Sequence, residues 1–303
     1  RNLPSVGSLS MTLSDLRTRT EVIRDEALEN DSIFLGDSPA PIAFANRASR
    51  FLDLIRELAG VEDALRVTTE NNFPTGAGLA SSASGFAALA LAASRAFELE
   101  LSPSALSRIA RVGSGSASRS LFGGFVEWHR GVEEDGSDSF AEPIAPEDHW
   151  DVRMLVVITS DAEKTHSSTD GMNLTKETSP YFDAWVDGSA RGLEAMRDAV
   201  LARDLTRVGE LMEASCLQMH AVMMSATPGL LYWNAATVEL IHAVRQLRGE
   251  GVEAYFTIDA GPQVKILCKP SDAPTLARRL QTLNGVQRIL EASVGPAAYL
   301  EAT

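Results

Sequence analysis

Two stretches of glycine, serine and alanine carry the chemistry this sequence can offer. Pro74-Thr-Gly-Ala-Gly-Leu-Ala-Ser-Ser-Ala-Ser84 runs into an alanine-rich segment, and Gly113-Ser-Gly-Ser-Ala-Ser-Arg-Ser-Leu-Phe-Gly-Gly124 precedes the strand-like Phe125-Val-Glu-Trp128. Small residues let a backbone approach a ligand closely, and a helix N-terminus aims N–H groups at an anion, so both loops suit phosphate. The first is not the Gly-x-x-x-x-Gly-Lys pattern, since it contains no lysine. Taken alone, a small-residue turn before an alanine-rich helix is more often tight packing. Asp259, in Ile258-Asp-Ala-Gly-Pro262, ends an apolar run at a Gly-Pro turn, where a carboxylate can point into a cleft; in isolation the pattern is more often an Asx turn. Arg119 lies between the Gly/Ser runs of the second loop, and its planar fork suits bidentate carboxylate binding.

Other residue types offer less. Cys216 and Cys268 lack metal or disulfide spacing and read as buried, reduced thiols. The histidines His129, His149, His166, His220 and His242 are scattered, which assigns them surface or packing roles. Trp128, Trp150, Trp185 and Trp233 read as core or interface residues, and Met219, Met223 and Met224 as core near a helix end. The chain of 303 residues carries 27 Lys+Arg against 41 Asp+Glu, a net charge of −14, which argues against nucleic acid or an anionic membrane as partner. No apolar run approaches the ~18–20 residues of a membrane span, and no signal-peptide pattern opens the chain. The expected location is the cytoplasm. Only four lysines are present, Lys164, Lys176, Lys265 and Lys269, so none precedes position 164.

The elements that must position these loops follow from periodicity. Strands are expected over residues 8–13, 18–23, 32–35, 65–69 and 125–128. A helix from Ala45 has Phe51, Leu54, Ile55 and Leu58 on one face and Gly60 as its stop; another covers Gly85 to Leu99, and Ser102-Pro103 opens a third. The acidic stretch Val132 to Ser139 reads as a solvated loop. The pattern breaks between Pro143 and Trp150, which sets the expected boundary between a domain of residues 1–150 and one of residues 151–303. The second half predicts a strand over 153–158, helices over 193–200, 205–219 and 234–247, strands over 254–258 and 264–267, and a helix over 273–283. This order implies an α+β class with helices on one sheet face.

Read whole, Pro74-Thr-Gly-Ala-Gly-Leu-Ala-Ser-Ser82 resembles the Pro-x-x-x-Gly-Leu-x-Ser-Ser phosphate loop of the GHMP kinase superfamily. The resemblance sharpens to the diphosphomevalonate decarboxylase family over Asn71 to Leu89, Gly113 to Trp128, Asn2-Leu-Pro4 with Ser8-Leu-Ser10, Ser167-Ser-Thr-Asp-Gly-Met172, and Phe256-Thr-Ile-Asp-Ala-Gly-Pro262. These motifs are collinear and span essentially the whole chain. The resemblance implies a ribosomal-protein-like N-terminal α/β domain, a ferredoxin-like C-terminal domain and a homodimer. It also implies an activity: ATP phosphorylates the tertiary 3-hydroxyl of mevalonate 5-diphosphate, and loss of phosphate and CO2 then gives isopentenyl diphosphate. Hydroxide leaves poorly and phosphate readily, so the first step prepares the second.

By the same resemblance Asp259 is the catalytic aspartate that orients or deprotonates the 3-hydroxyl, and Arg119 holds the substrate carboxylate. Ser116, Ser168 and Met172 contact substrate. Asn72, Pro74, Gly76, Ala77, Gly78, Leu79, Ala80, Ser81 and Ser82 bind the nucleotide. Mg2+ arrives with ATP, held by phosphate oxygens and water, with Ser82 the one protein group in its reach. Family members carry a strand and a Lys-Tyr-Trp-Gly-Lys segment before the Leu-Pro motif; this sequence starts at Arg1-Asn-Leu-Pro4, and a truncated record is the expectation. Relatives that use mevalonate 5-phosphate, or stop at 3-phosphorylation, are alternatives, as is a non-catalytic nucleotide sensor; retention of Asp259 and Arg119 favours full decarboxylation.

Overall fold

The computed structural model describes residues 1–73, 79–162 and 167–301. In the first half, β1 (Ser8–Met11), β2 (Thr18–Arg24), β3 (Ser32–Leu35) and the two-residue β4 (Ser38–Pro39) lead into α1 (Ile42–Ala59). Gly60 ends α1 in the left-handed region at φ 68°, where a side chain would be strained. The buried face of α1 is Ala48, Phe51, Leu52 and Ile55. Leu58, expected on that face, is 56% exposed. The last turn overruns the core, and Arg56 turns inward instead to pair with Asp31 and, at 2.6 Å, with Asp53.

Strand β5 (Leu65–Asn71) completes a mixed sheet of order β2-β5-β3-β4, with β3 and β5 parallel. Helices α2 (Ser81–Ala96) and α3 (Pro103–Gly113) pack their apolar faces with α1 and this sheet around Phe51, Leu65, Val67, Phe86 and Ala90. Ser102 caps α3, accepting from the Ala105 amide at 3.2 Å, with proline at the first helical position. Strand β6 (Phe125–Trp128) then pairs with β1 on one side and β7 (Ala141–Ala145) on the other. The sequence hides β7 because Pro143 sits in it. An edge strand tolerates that proline, and the β6–β7 register shifts beside it. Between them the acidic stretch is a loop, held by the buried Arg111, which donates to the carbonyls of Gly136 (2.8 Å) and Ser139.

The second half runs β8 (Arg153–Ile158), α4 (Ser168–Thr178), α5 (Phe182–Leu201), α6 (Leu205–Met224), α7 (Ala235–Gly249), β9 (Ala254–Ile258), β10 (Val264–Cys268), α8 (Ala273–Leu280) and β11 (Arg288–Ala292). Its sheet is antiparallel throughout in the order β11-β8-β10-β9, a ferredoxin-like arrangement. Two of these elements are illegible in sequence: α4 is rich in serine, threonine and glycine, poor helix formers, and β11 is short and half-exposed. One sheet face packs on α6, α7 and α8 through Leu155, Phe256, Ile266, Leu240 and Val244. The other, with Met154, Val156 and Leu267, is covered by residues of β1, β6, α5 and α6, so a single core cluster joins the two halves of the chain.

Strand β9 lies at the sheet edge, and α7 and α6 supply partners to its backbone. Arg248 donates to the Ala254 carbonyl at 2.8 Å and Glu213 accepts from the Phe256 amide at 3.2 Å. The Ile258 amide donates to Cys216 Sγ at 3.2 Å, and His220 Nε2 donates to the Ile258 carbonyl at 3.0 Å. Both thiols are buried as expected, and burial pushes Cys216 up to about 11 and Cys268 up to about 12.

Close packing in this half gives a direct test. A Cβ on Gly209 of α6 would lie 2.0 Å from Tyr255 Cγ. Gly209→Ala should therefore destabilise the protein by about 1–3 kcal/mol despite alanine's better helix propensity. The urea midpoint measures it, and an unchanged or higher midpoint would contradict the packing described.

Candidate active site

Asp259 stands immediately after β9, in the turn that leads to β10, and its Oδ2 accepts a 2.8 Å hydrogen bond from Lys265 Nζ of β10. The lysine side chain is almost wholly covered, whereas that of Asp259 is 63% exposed, so the carboxylate is open to solvent. Burial pushes the Asp259 carboxyl up, but Lys265, through charge and hydrogen bond, then Arg119 and His220, outweigh it and hold the group below its ordinary range. His220 is itself pushed down by burial. Its Nε2 faces a carbonyl oxygen, which can only accept, so that nitrogen carries the proton. The turn is braced from behind: Thr237 Oγ1 donates to the Pro262 carbonyl at 2.7 Å, and the fully buried Gln263 accepts from the Thr159 amide at 2.6 Å.

Arg119 comes from the other half of the chain, directly after the short 3-10 turn Gly115–Ser118. Its Nη1 donates to Ser8 Oγ of β1 and its Nη2 to Ser116 Oγ at 3.3 Å. The guanidinium lies 5.6 Å from the Trp128 ring centroid, and its Nε is buried with no hydrogen-bond partner among the described residues. Burial pushes Arg119 down to about 10, opposed by the charge of Asp259, so it remains cationic at neutral pH. The glycines of this loop serve close approach: a Cβ on Gly113 would lie 2.3 Å from Phe86, and one on Gly115 would lie 2.9 Å from Trp128.

The two Gly/Ser loops meet at Ser82 and Ser114, whose hydroxyls are 3.3 Å apart. Ala80 caps α2 in the left-handed region at φ 57°, a conformation that costs a residue with a Cβ about 1–2 kcal/mol. Its carbonyl accepts from the Ala83 and Ser84 amides. Ser81 and Ser82 form the first turn of a sixteen-residue helix, where amide dipoles favour an anion. Leu79 packs into the core shared by both halves. Pro74, Gly76, Ala77 and Gly78, like Lys164 and His166, lie outside the described residues.

Of the remaining predicted residues, Ser116 is brought to Arg119. Asn72 braces a neighbouring loop, accepting from the Arg17 amide and donating to the Asp15 carbonyl, each at 2.8 Å. Ser168 and Met172 stand one turn apart on α4, and Ser167 caps that helix by accepting from the Asp170 amide at 3.1 Å. Gly171 between them admits Tyr232, whose hydroxyl would be 2.3 Å from a Cβ there. Motif reading missed Lys265 as partner of Asp259, although strand alternation held the signal: Val264 and Ile266 face the helices, which turns Lys265 to the opposite face. It also missed that Trp128 supports Arg119 and that His220 reaches the strand carrying Asp259. Among the described residues, no three His, Cys, Asp or Glu side chains gather to hold a metal.

Comparison with known proteins bears on both halves. Residues 1–141 match the diphosphomevalonate decarboxylase-like N-terminal domain, and residues 154–297 match the mevalonate 5-diphosphate decarboxylase C-terminal domain. The chain is 36% identical to the diphosphomevalonate decarboxylase of Candida albicans over 97% of its own length and 90% of that protein. Among solved structures, that of MDDEF in complex with MVAPP, AMPPCP and magnesium superposes with a TM-score of 0.91 at 38% identity, covering 97% of this chain and 90% of that one. The mevalonate diphosphate decarboxylase of Staphylococcus aureus does so with a TM-score of 0.91 at 34% identity, covering 97% and 89%. A two-domain α+β fold, an arginine and an aspartate brought together from opposite halves, and matches along both halves lead to one assignment: the chain belongs to the diphosphomevalonate decarboxylase family.

Proposed function

We propose that this protein catalyses the ATP-dependent decarboxylation of mevalonate 5-diphosphate to isopentenyl diphosphate, with release of ADP, phosphate and CO2. The observation that carries the reading is that Ser8 and Ser116 hold Arg119 in the loop whose Ser114 meets Ser82 at the start of α2, while Lys265 holds Asp259 near enough for the two charges to act on each other. The ATP phosphates sit at the start of α2, where Ser81, Ser82 and the amides of the first turn bind them. Ser82 would bond a phosphate oxygen beside Mg2+ carried in with ATP, an ion that would supply charge neutralisation for the transfer.

Asp259 receives the hydrogen bond of the 3-hydroxyl and aims its oxygen at the transferring phosphoryl group. A carboxylate held below its ordinary range is a weak base for an alcohol, so its contribution is mainly orientation. Arg119 binds the carboxylate that leaves as CO2, with Ser116 beside it. Its charge opposes early loss of that group and fixes the dihedral needed for elimination. Ser168 and Met172 line the pocket for the 5-diphosphate. The halves that contribute Arg119 and Asp259 are the two units we place at residues 1–150 and 151–303. We assign the protein to the cytoplasm as a homodimer; among the described residues, no helix is long and apolar enough to cross a membrane.

Incubation with ATP and, separately, mevalonate, its 5-phosphate and its 5-diphosphate tests the reading. Equal amounts of ADP and CO2 from the diphosphate alone are expected. CO2 from the monophosphate would reassign the substrate, ADP without CO2 would leave a 3-kinase, and ATP binding without turnover would leave a sensor.

A further inference from the structure

The hairpin of β9 and β10 places an ammonium group where the reaction proposed above needs an ordered carboxylate. Lys265 pairs with Thr257 across that hairpin and with Val156 of β8 on its other side. It lies on the face turned away from α7 and α8, and it is only 8% exposed. From there Nζ reaches forward to Asp259 Oδ2 at 2.8 Å. A lysine so covered loses most of its rotamer freedom and most of its hydration. Its charge is sustained by its neighbours, and Asp259 is the carboxylate it pairs with.

We propose that Lys265 is the positioning residue of the site, fixing the Asp259 carboxylate through Oδ2 so that Oδ1 is left to receive the substrate 3-hydroxyl. This deepens the reading above and rests on the role given there to Asp259. A carboxylate on an open turn rotates about its Cβ–Cγ bond and presents either oxygen. Anchoring one oxygen to a strand lysine removes that freedom, because β10 lies inside the sheet between β8 and β9. Among the described residues, the charged and titratable groups facing Asp259 are Lys265 from β10, Arg119 from the second Gly/Ser loop, and His220 with Cys216 from α6. Arg119 is engaged by Ser8 and Ser116 and His220 by the Ile258 carbonyl, and among the described residues Lys265 is the cation hydrogen-bonded to the carboxylate.

Three readouts test this. In Lys265→Met, kcat should fall by about 10–100-fold with KM for both substrates within about twofold, the signature of lost orientation. The acid limb of the kcat profile should move upward by about one pH unit, because the carboxylate loses the cation that favours its ionised form. Lys265→Arg should restore the acid limb and most of the rate. In the unmodified protein, the Asp259 side-chain carboxyl 13C resonance, assigned by its loss in Asp259→Asn, should titrate below the ordinary value of about 3.9; this reading does not depend on any Lys265 variant folding. A resonance titrating at or above the ordinary value overturns the proposal, as does a folded Lys265→Met enzyme with an unmoved acid limb. If Asp259→Asn itself retains full turnover, the role of Asp259 fails instead, so the two failures are distinguishable.

Discussion

Asp259→Asn should reduce turnover by about 10²–10⁴-fold while leaving KM for both substrates nearly unchanged. Asparagine keeps the size and one acceptor oxygen but removes the charge that aligns the 3-hydroxyl with the phosphoryl group. Initial rates of ADP release read this directly, and a loss smaller than tenfold would remove Asp259 from the chemistry. The same variant has a small stability consequence whose sign follows from the pair with Lys265. The folded-state pKa of Asp259 lies below its unfolded value. Ionised Asp259 therefore contributes stability above the unfolded pKa, and that contribution is lost as pH falls through the folded pKa. Because the carboxylate is 63% exposed, solvent limits the contribution to about 1 kcal/mol or less. In Asp259→Asn, thermal midpoints should fall slightly near pH 7 and converge with the parent protein in acid.

Arg119→Lys should be nearly as damaging, although it conserves the charge. The guanidinium is already held by Ser8, Ser116 and the face of Trp128, an arrangement an ammonium cannot copy, and it presents a planar fork to a planar carboxylate. Losing two charge-assisted hydrogen bonds of about 1.5–3 kcal/mol each lowers kcat/KM for the diphosphate by about 10²–10⁴-fold. KM for ATP should be unaffected if the nucleotide binds at the start of α2, as we propose. Parallel measurement of the two KM values decides the matter: equal weakening of both would mean that Arg119 maintains the loop rather than binding the substrate carboxylate. Replacing the guanidinium also changes what lies against Trp128, so near-ultraviolet circular dichroism of the variant checks whether the ring keeps its place.

The two Gly/Ser motifs and the one at Asp259 stand out in the sequence because each is a local pattern. A helix N-terminus, a strand end and a loop arginine each announce themselves within a dozen residues. What is not legible is what crosses the fold. Lys265 meets Asp259 because a hairpin folds back, and Ser8 meets Arg119 because β1 pairs with β6. Periodicity gives most strands and helices at nearly their observed limits, and fails where tertiary packing overrides composition. Strand β7 forms around a proline because the edge of its sheet demands no amide there. Helix α4 forms from poor helix formers because Ser167 caps it and α6 supports it. Leu58 is exposed because its helix outruns the surface beneath it.

The lateral partners of β9 also matter for how this protein behaves in concentrated solution. An uncovered edge strand of apolar residues is a template on which another chain can assemble. Here Glu213, Cys216 and His220, at successive turns of α6, meet backbone groups of the strand that would otherwise face a neighbouring molecule. The segment Ala254-Tyr-Phe-Thr-Ile258 has the composition of an aggregation-prone stretch, with high strand propensity and no charge. Its safety is therefore delegated to a helix from elsewhere in the chain. Loosening α6 would show itself as loss of solubility before any loss of catalytic competence in the molecules that remain folded.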